Sequence, residues 1–354
     1  METVVHISPL FRTKGGISTV VANYLTSDLA RDYRLFVIDS HTDGNNAAKI
    51  IAIMGAFAKA CVCVLFYKPS LVHVHMGDFP SPYRKAILCL PFRLRRVPSI
   101  LHFHGAGFMS QYEAKGAITK NILRSFFASF TAVLCLSESW KNILIKTFDV
   151  TRITVVPNAV PLPDKQARGR DLGGALRLLF LGLIGTRKGV FELLDAVEVL
   201  VAEGYNIEVA VGGNGDIEAL RVRMKNERLK GRVRYLGWVE GDEREQEFLG
   251  AHLFVLPSHA EGMPMSVLEA MSYGLPIVST RVGGIPELVE NNANGMLVEP
   301  GNSPQLVQAI RQLADDEALR QKMGKRSREI IEQRFSLAAH IEAIKKVYRD
   351  CLRR

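Results

Sequence analysis

The sequence predicts an α/β protein: two tandem doubly wound domains facing across a cleft. Three observations carry this expectation. Short β-type runs alternate with longer helical patterns along most of the 354 residues, as in parallel sheets with helices on both faces. The stretch "PNAVPLPDKQARGRDLGGA" (157–175), with three prolines, three glycines and mixed charges, interrupts that alternation once and has linker composition. The length gives each half enough chain for its own core.

In the first half "TVVHIS" (3–8), "YRLFVID" (33–39), "SLVHVHM" (70–76), "SILHFHG" (99–105), "FTAVLCLS" (130–137) and "RITVVPN" (152–158) read as strands. After the linker the series restarts with "LRLLFLG" (176–182), "IEVAVGG" (207–213), "VRYLGWV" (233–239), "HLFVLPS" (252–258), "PIVST" (276–280) and "NGMLVEP" (294–300). Helices are expected from about Val190, from about Pro264 and through 303–352. The expected domains are 1–165 and 166–335, with a terminal helix, 336–354, crossing back to the first. Ligands in such sheets bind beyond the carboxyl ends of strands, which puts the chemistry in the cleft.

Composition is that of a globular protein, 47% hydrophobic and 23% charged. The start, "METVVHISPL", has no basic region before an apolar one, so no secretory signal is expected. The cysteines Cys61, Cys63, Cys89, Cys135 and Cys351 are odd in number and form no C-x-x-C pair. That argues against a disulfide framework or zinc site and fits a cytoplasmic protein. The run from Ile50 to Tyr67 holds one charge, Lys59. A spanning helix needs about 20 apolar residues, and a central Lys costs roughly 3 kcal/mol there. A buried or surface-docked helix is therefore expected.

The net charge of +9 is uneven: residues 1–175 carry +10 and the remainder −1. "YRKAILCLPFRLRRVP" (83–98) and "KGAITKNILRSFFASF" (115–130) mix Lys and Arg with large apolar side chains. Both patterns suit helices lying on an anionic membrane face. They equally suit helices packed on a sheet with a solvated basic face. Either way the first half favours an anionic partner, lipid headgroups or a pyrophosphate-linked acceptor rather than nucleic acid.

The stretch "SHAEGMPMSVLEAMSYGLPIVSTRVGGIPELV" (258–289) sets Glu261 in a Gly/Pro loop and Glu269 a turn into a helix. Pro264 fits the first turn. The start near Met265 and Ser266 leaves free N–H groups and a positive dipole end, a ready anion site. A phosphate there, with polyols on both sides, matches the layout of a nucleotide-diphosphate sugar. Two isolated carboxylates would by themselves be a solvated helix Glu and a loop Glu. The neighbouring turns add weight. "LGLIGTRKG" (181–189) places Arg187 and Lys188 between a strand and a helix, natural phosphate contacts. "VGGNGDIEAL" (211–220) lacks a dinucleotide fingerprint, because position 218 is Glu. That disfavours a dehydrogenase.

In the first half Gly15 and Gly16 sit at a strand-to-helix turn that lets backbone approach a ligand. "HFHG" ends a strand with His104 toward the cleft. His73 and His75 share a strand face, but no third metal ligand at ligand spacing is evident. They are expected to be packed or hydrogen-bonded. No D-x-D pair is present for a divalent cation.

Together "EGMPMSVLE" as an E-x7-E, "RKG", "PSHAEG", "AMSYGLPIVST" and "VGGIPELV" resemble the retaining glycosyltransferases of family 4, with the GT-B fold of two Rossmann-like domains. "GGISTVV", "HVH", "HFHG", "LSES" and "VVPNAV" are looser matches. The resemblance implies a nucleotide-diphosphate sugar donor and an acceptor that is a saccharide or a lipid-linked saccharide. It implies retention by same-face attack, with no metal and no cofactor. The basic first half with its apolar helices suits a polyprenyl-diphosphate-linked saccharide at the membrane surface, in surface-polysaccharide assembly, with the protein cytoplasmic or peripheral on the inner face of the plasma membrane. By the same resemblance Glu261 holds the donor hexose with backbone of Gly262 and Met263, and Glu269 binds the ribose. Lys188 neutralises the diphosphate, backbone near Val239 faces the base, Gly16 lines the phosphate, and His104 lies near the transferred sugar. The family's Arg after Gly182 is Leu183 here, with Arg187 a candidate replacement, and its linker Asn-Gly is Asn158–Ala159. Two other readings stay open: a nucleotide-sugar 2-epimerase of the same architecture, and a non-catalytic protein binding anionic membranes.

Overall fold

A computed structural model describes residues 1–9, 15–42, 44–167 and 174–353. Residues 12–14 of the first glycine turn and 168–173 of the linker stretch lie outside the described residues. The strands are β1 (Thr3–Ser8), β2 (Arg34–Asp39), β3 (Leu71–Met76), β4 (Ser99–Phe103), β5 (Ala132–Cys135) and β6 (Ile153–Val155). After the linker come β7 (Leu176–Leu181), β8 (Ile207–Gly212), β9 (Val233–Gly237), β10 (Leu253–Leu256), β11 (Ile277–Thr280) and β12 (Gly295–Val298). They form two six-stranded sheets, in the orders β2-β1-β3-β4-β5-β6 and β12-β11-β10-β7-β8-β9. Every pairing is parallel. β1, β3 and β7 are buried along their whole length, as strands of a parallel sheet covered on both faces are.

The chain divides into two compact units, Met1–Asn158 with Leu337–Arg354, and Ala159–Ser336. In the first unit the two-residue period of the strands separates two kinds of core. Val72, Val74, Met76, Leu101 and Phe103 face one side, in a cluster with Phe108, Phe127, Trp140 and Phe148. Phe127 and Phe148 stack there with ring centroids 4.0 Å apart. The alternate positions face the other side and are His6, His73, His75 and His102, all fully buried. Tyr24, from the helix Gly16–Thr26, and Tyr348, from the helix Leu337–Leu352, touch this second face, and His340 stacks on Tyr24.

The apolar run after residue 45 forms the helix Asn46–Val62, extended by a π-helical turn through Tyr67. Among the described residues it is the one helix long and apolar enough to cross a membrane, by length and composition. Of the two expected placements, burial and surface docking, the structure shows the second: only 22% of its most apolar window is covered. It packs along the helix Ser81–Leu94 and leaves Ile50, Ile51, Met54, Val62, Leu65 and Phe66 exposed.

Candidate active site

In the second unit the site grows from the carboxyl ends of β7 and β10. Beyond β10 the chain turns through Ser258 and Glu261 before the helix Met265–Ser272. Glu261 is only 4% exposed. Its Oε1 accepts from the Ser258 hydroxyl at 2.6 Å and from Lys188 Nζ at 2.5 Å. A buried carboxylate needs such partners, since leaving it unpaired costs several kcal/mol, on the order of 3–5. The loop is pinned from behind: Thr280 Oγ1 donates to the Ser258 carbonyl at 2.5 Å and the His259 amide to the Arg187 carbonyl at 2.9 Å. The Gly283–Gly284 turn runs against it, with the Gly284 amide donating to the Gly262 carbonyl at 2.7 Å. Gly283 has φ 54°, and a Cβ there would collide with the Glu261 carbonyl, so only glycine fits.

Lys188 ends a 3-10 turn, Thr186–Lys188, and Gly189 follows in the left-handed region at φ 73°. The space a Gly189 Cβ would fill is taken by the Pro257 carbonyl. The turn that aims Lys188 at Glu261 therefore sits directly on the β10 loop. Arg187 and Leu183 are exposed beside it.

Glu269 is the fifth residue of the helix Met265–Ser272, with a side chain 15% exposed. Arg244, from the helix Gly241–Gly250, donates to its Oε2. Burial pushes the Glu269 carboxyl up to about 7, against the pull of Arg244. Pro264 stands one residue earlier than expected, at the cap and not in the first turn, and no side chain caps this end. The first-turn N–H groups, with Met265 and Ser266, keep the donor character of an open helix start. Gly262, Met263, Met265 and Val239 are buried and Ser266 is half-buried; Val239 lies just past the end of β9.

In the first unit Gly15 and Gly16 stand at the cap and first residue of the helix Gly16–Thr26, where no side chain caps either. His104 lies one residue beyond β4, its amide donating to the Met76 carbonyl at 2.7 Å. Its ring joins the histidine face. Parallel register sets His6 opposite His73 and His75 opposite His102, so histidines distant in sequence meet side by side. Burial pushes His6 and His104 down to about 3 and His340 to about 4, and holds His73, His75 and His102 well below the usual range. All six are neutral at pH 7. Two triplets, His6/His73/His75 and His75/His102/His104, bring ligand nitrogens within 4.8 Å of one another. The expectation that no third ligand adjoins "HVH" is thereby corrected; the missing partners come from β1 and from β4 with the residue after it, which sequence spacing cannot show. Nearby Lys85 is fully buried, donates to the Ile7 carbonyl at 2.9 Å and the Ser40 hydroxyl at 2.5 Å, and is pushed down by burial to about 7.

Two family models divide the sequence between them. Residues 14–163 match the family described as Glycosyltransferase Family 4, and residues 165–330 match Glycosyl transferases group 1. The chain is a family 4 glycosyltransferase. Among curated relatives of this glycosyltransferase, the amylovoran biosynthesis glycosyltransferase AmsK of Erwinia amylovora is 30% identical over 61% of the chain and 55% of AmsK. The Escherichia coli UDP-Gal:alpha-D-GlcNAc-diphosphoundecaprenol alpha-1,3-galactosyltransferase is 29% identical over 80% of the chain and 76% of that enzyme. Among solved structures, sucrose-phosphate synthase of Thermosynechococcus elongatus superposes with a TM-score of 0.81 at 17% identity, covering 99% of both chains. Anabaena HepE in complex with UDP-glucose superposes at 0.79 and 18% identity, covering 99% of this chain and 100% of that one. These likenesses establish the GT-B fold, and the family match sets aside the non-catalytic reading.

Ser258 and Arg244, the partners of the two glutamates, escaped the sequence reading. Ser258 lies inside the quoted "PSHAEG" and was legible there as a hydroxyl three residues before Glu261. Arg244 sits in "GDEREQEF" with no signal that it reaches Glu269. His6, His340 and Tyr348 were likewise silent.

Proposed function

We propose that this glycosyltransferase moves a hexose-type sugar from a nucleotide-diphosphate donor to a saccharide acceptor, with retention and without a metal. The observation that carries the reading is the buried Ser258–Glu261–Lys188 cluster at the head of an uncapped helix. In this reading Lys188 and the N–H groups at Met265 and Ser266 stabilise the leaving diphosphate. Glu261, with backbone of Gly262 and Met263, accepts hydrogen bonds from hexose hydroxyls. Glu269 accepts from the ribose, backbone near Val239 faces the base, and Arg187 stands in for the cation lost at Leu183. No side chain acts as nucleophile; the departing phosphate oxygen takes the acceptor proton, and His104 and Gly16 serve the sugar and phosphate from the first unit. The UDP-glucose bound by HepE and the UDP-Gal in the E. coli relative's name support a uridine donor.

The same relative's diphosphoundecaprenol acceptor supports a lipid-linked saccharide here, in polysaccharide assembly at the cytoplasmic face of a membrane. Exposed Tyr83, Ile87, Leu90 and Leu94 form a helical stripe on Ser81–Leu94, beside the exposed apolar residues of Asn46–Val62. Arg95 and Arg96 lie exposed at its end. Apolar area flanked by arginine fits an anionic bilayer surface. Thermal shift against UDP-, GDP-, ADP- and CDP-sugars tests the donor half: one nucleotide should raise the melting temperature with dose, and no response to any of them would sink it. Sedimentation with phosphatidylglycerol vesicles, against phosphatidylcholine vesicles as control, tests the second half.

A further inference from the structure

Among the described residues, five histidines and Tyr348 of the first unit form one unbranched line of hydrogen bonds. His104 Nε2 meets His75 Nδ1 at 3.1 Å, and His75 Nε2 meets His6 Nδ1 at 3.2 Å. His6 Nε2 meets the Tyr348 hydroxyl at 3.3 Å, and that hydroxyl meets His73 Nδ1 at 2.7 Å. His73 Nε2 meets His102 Nδ1 at 3.3 Å. The line stops there: His102 Nε2 is buried with no hydrogen-bond partner among the described residues. At the opposite end His104 is half-buried, and its Nδ1 makes no hydrogen bond among them.

A neutral imidazole donates from one nitrogen and accepts at the other. The Tyr348 hydroxyl between two imidazoles passes the direction on. The line therefore has two states, with all its protons turned toward His102 or all turned toward His104. Turned toward His102, it leaves a buried N–H with no acceptor. Turned toward His104, it leaves only a bare ring nitrogen at His102 and delivers the last N–H to the half-open end. Orphaned buried N–H groups are the rarer defect in folded proteins.

We propose that this line fixes His104 as a neutral imidazole protonated on Nδ1, so that it presents a hydrogen-bond donor, and not a proton acceptor, to the group that occupies its site. His6, His73, His75, His102 and Tyr348 are then positioning residues. His104 would grip an oxygen lone pair of the sugar or of a phosphate and could not serve as a base. The polarity stands on the geometry alone; its use on a donor sugar rests on the reading of His104 under Proposed function.

The test is the nitrogen-15 spectrum of histidine-labelled full-length protein at pH 7, with long-range proton correlations that distinguish the two tautomers. Two of the nine histidines are internal standards. His340 Nδ1 must carry its proton, because it faces the Pro157 carbonyl at 2.7 Å. His252 Nδ1 must be bare, because it accepts from the Arg177 amide at 2.9 Å. His6, His73, His75, His102 and His104 should all show the His340 pattern, assigned by single His→Gln variants. The line is all-or-none, so the remaining signals decide the matter where one variant fails to fold. Any of the five protonated on Nε2, or on both nitrogens, overturns the proposal. So does loss of their N–H signals on adding one equivalent of zinc, which would give these nitrogens to a metal. With UDP-glucose or UDP-galactose bound, as registered by thermal shift, the His104 Nδ1–H signal should move while the other four stay on Nδ1. A bound donor that leaves it unmoved overturns the use on the sugar and leaves the polarity standing.

Discussion

At the scale of single residues, the two glutamates of the second unit differ in what holds them. Glu261 shares one oxygen between Ser258 and Lys188, whereas Glu269 accepts from Arg244. If Glu269 serves the ribose and Glu261 the hexose, Glu269→Ala should weaken UDP binding about tenfold, roughly 1.4 kcal/mol. Glu261→Ala should leave UDP affinity nearly intact and lower turnover; calorimetry with UDP separates the two, and equal loss in both contradicts the division of roles. The Glu269 carboxyl, raised to about 7, adds a pH dependence. Below that value it binds a proton and cannot accept from both ribose hydroxyls, so UDP affinity should fall as pH drops from 8 to 6. Glu269→Gln should flatten that profile. Glu261, Glu269 and Lys188 were legible in the sequence because each sits in a short local pattern of glycine, proline and charge. Arg244 was not, because its partner is 25 residues away on a different helix.

At the scale of elements, backbone conformation decides where Lys188 points. Gly189 is both left-handed and packed on the Pro257 carbonyl. Gly189→Ala should therefore destabilise the second unit by at least about 2 kcal/mol, from the left-handed penalty plus the steric contact, as read by chemical denaturation. The helix Ser81–Leu94 poses the opposite case. Its stripe of Tyr83, Ile87, Leu90 and Leu94 is exposed. Ile87→Ser with Leu94→Ser should change stability by no more than about 0.5 kcal/mol and should reduce sedimentation with phosphatidylglycerol vesicles several-fold. A large loss of stability with unchanged vesicle binding would assign the stripe to the core.

At the scale of the whole molecule, the first unit is the acid-sensitive one. An unfolded histidine titrates near 6.5, and burial holds His6 down to about 3 and His73, His75 and His102 well below the usual range. Below pH 6.5 the unfolded chain takes up protons that the folded one refuses. Stability is then complete above about pH 6.5 and falls as pH drops toward the folded values, by up to about 1.4 kcal/mol per histidine per pH unit. Four such groups cost up to about 6 kcal/mol per unit, against a typical domain stability of about 5–15 kcal/mol. The first unit should therefore unfold near pH 5 while the second, with no such cluster among its described residues, persists; calorimetry across pH 4–7 would resolve two transitions. The first unit also depends on a distant piece of chain. Tyr348 and His340 are buried against His73 and Tyr24. A chain ending at Ser336 should lose the first unit's transition and keep a donor-induced shift in the second.

The alternation of apolar runs with helical patterns, the linker stretch and the glycine-bounded turns were enough to specify twelve strands to within about three residues and the loop that carries Glu261. These are local properties: burial on both faces makes a strand apolar throughout, and a close backbone approach demands glycine at one position. Pairing across the fold was decided elsewhere. The contact of Arg244 with Glu269 follows from how helices settle on a sheet, and the joining of five histidines through Tyr348 follows from parallel register together with a terminal helix packed over the same face. The choice of surface docking over burial for Asn46–Val62 has the same origin. Composition reports how much apolar surface a helix carries, and only its neighbours decide how much of that surface is covered.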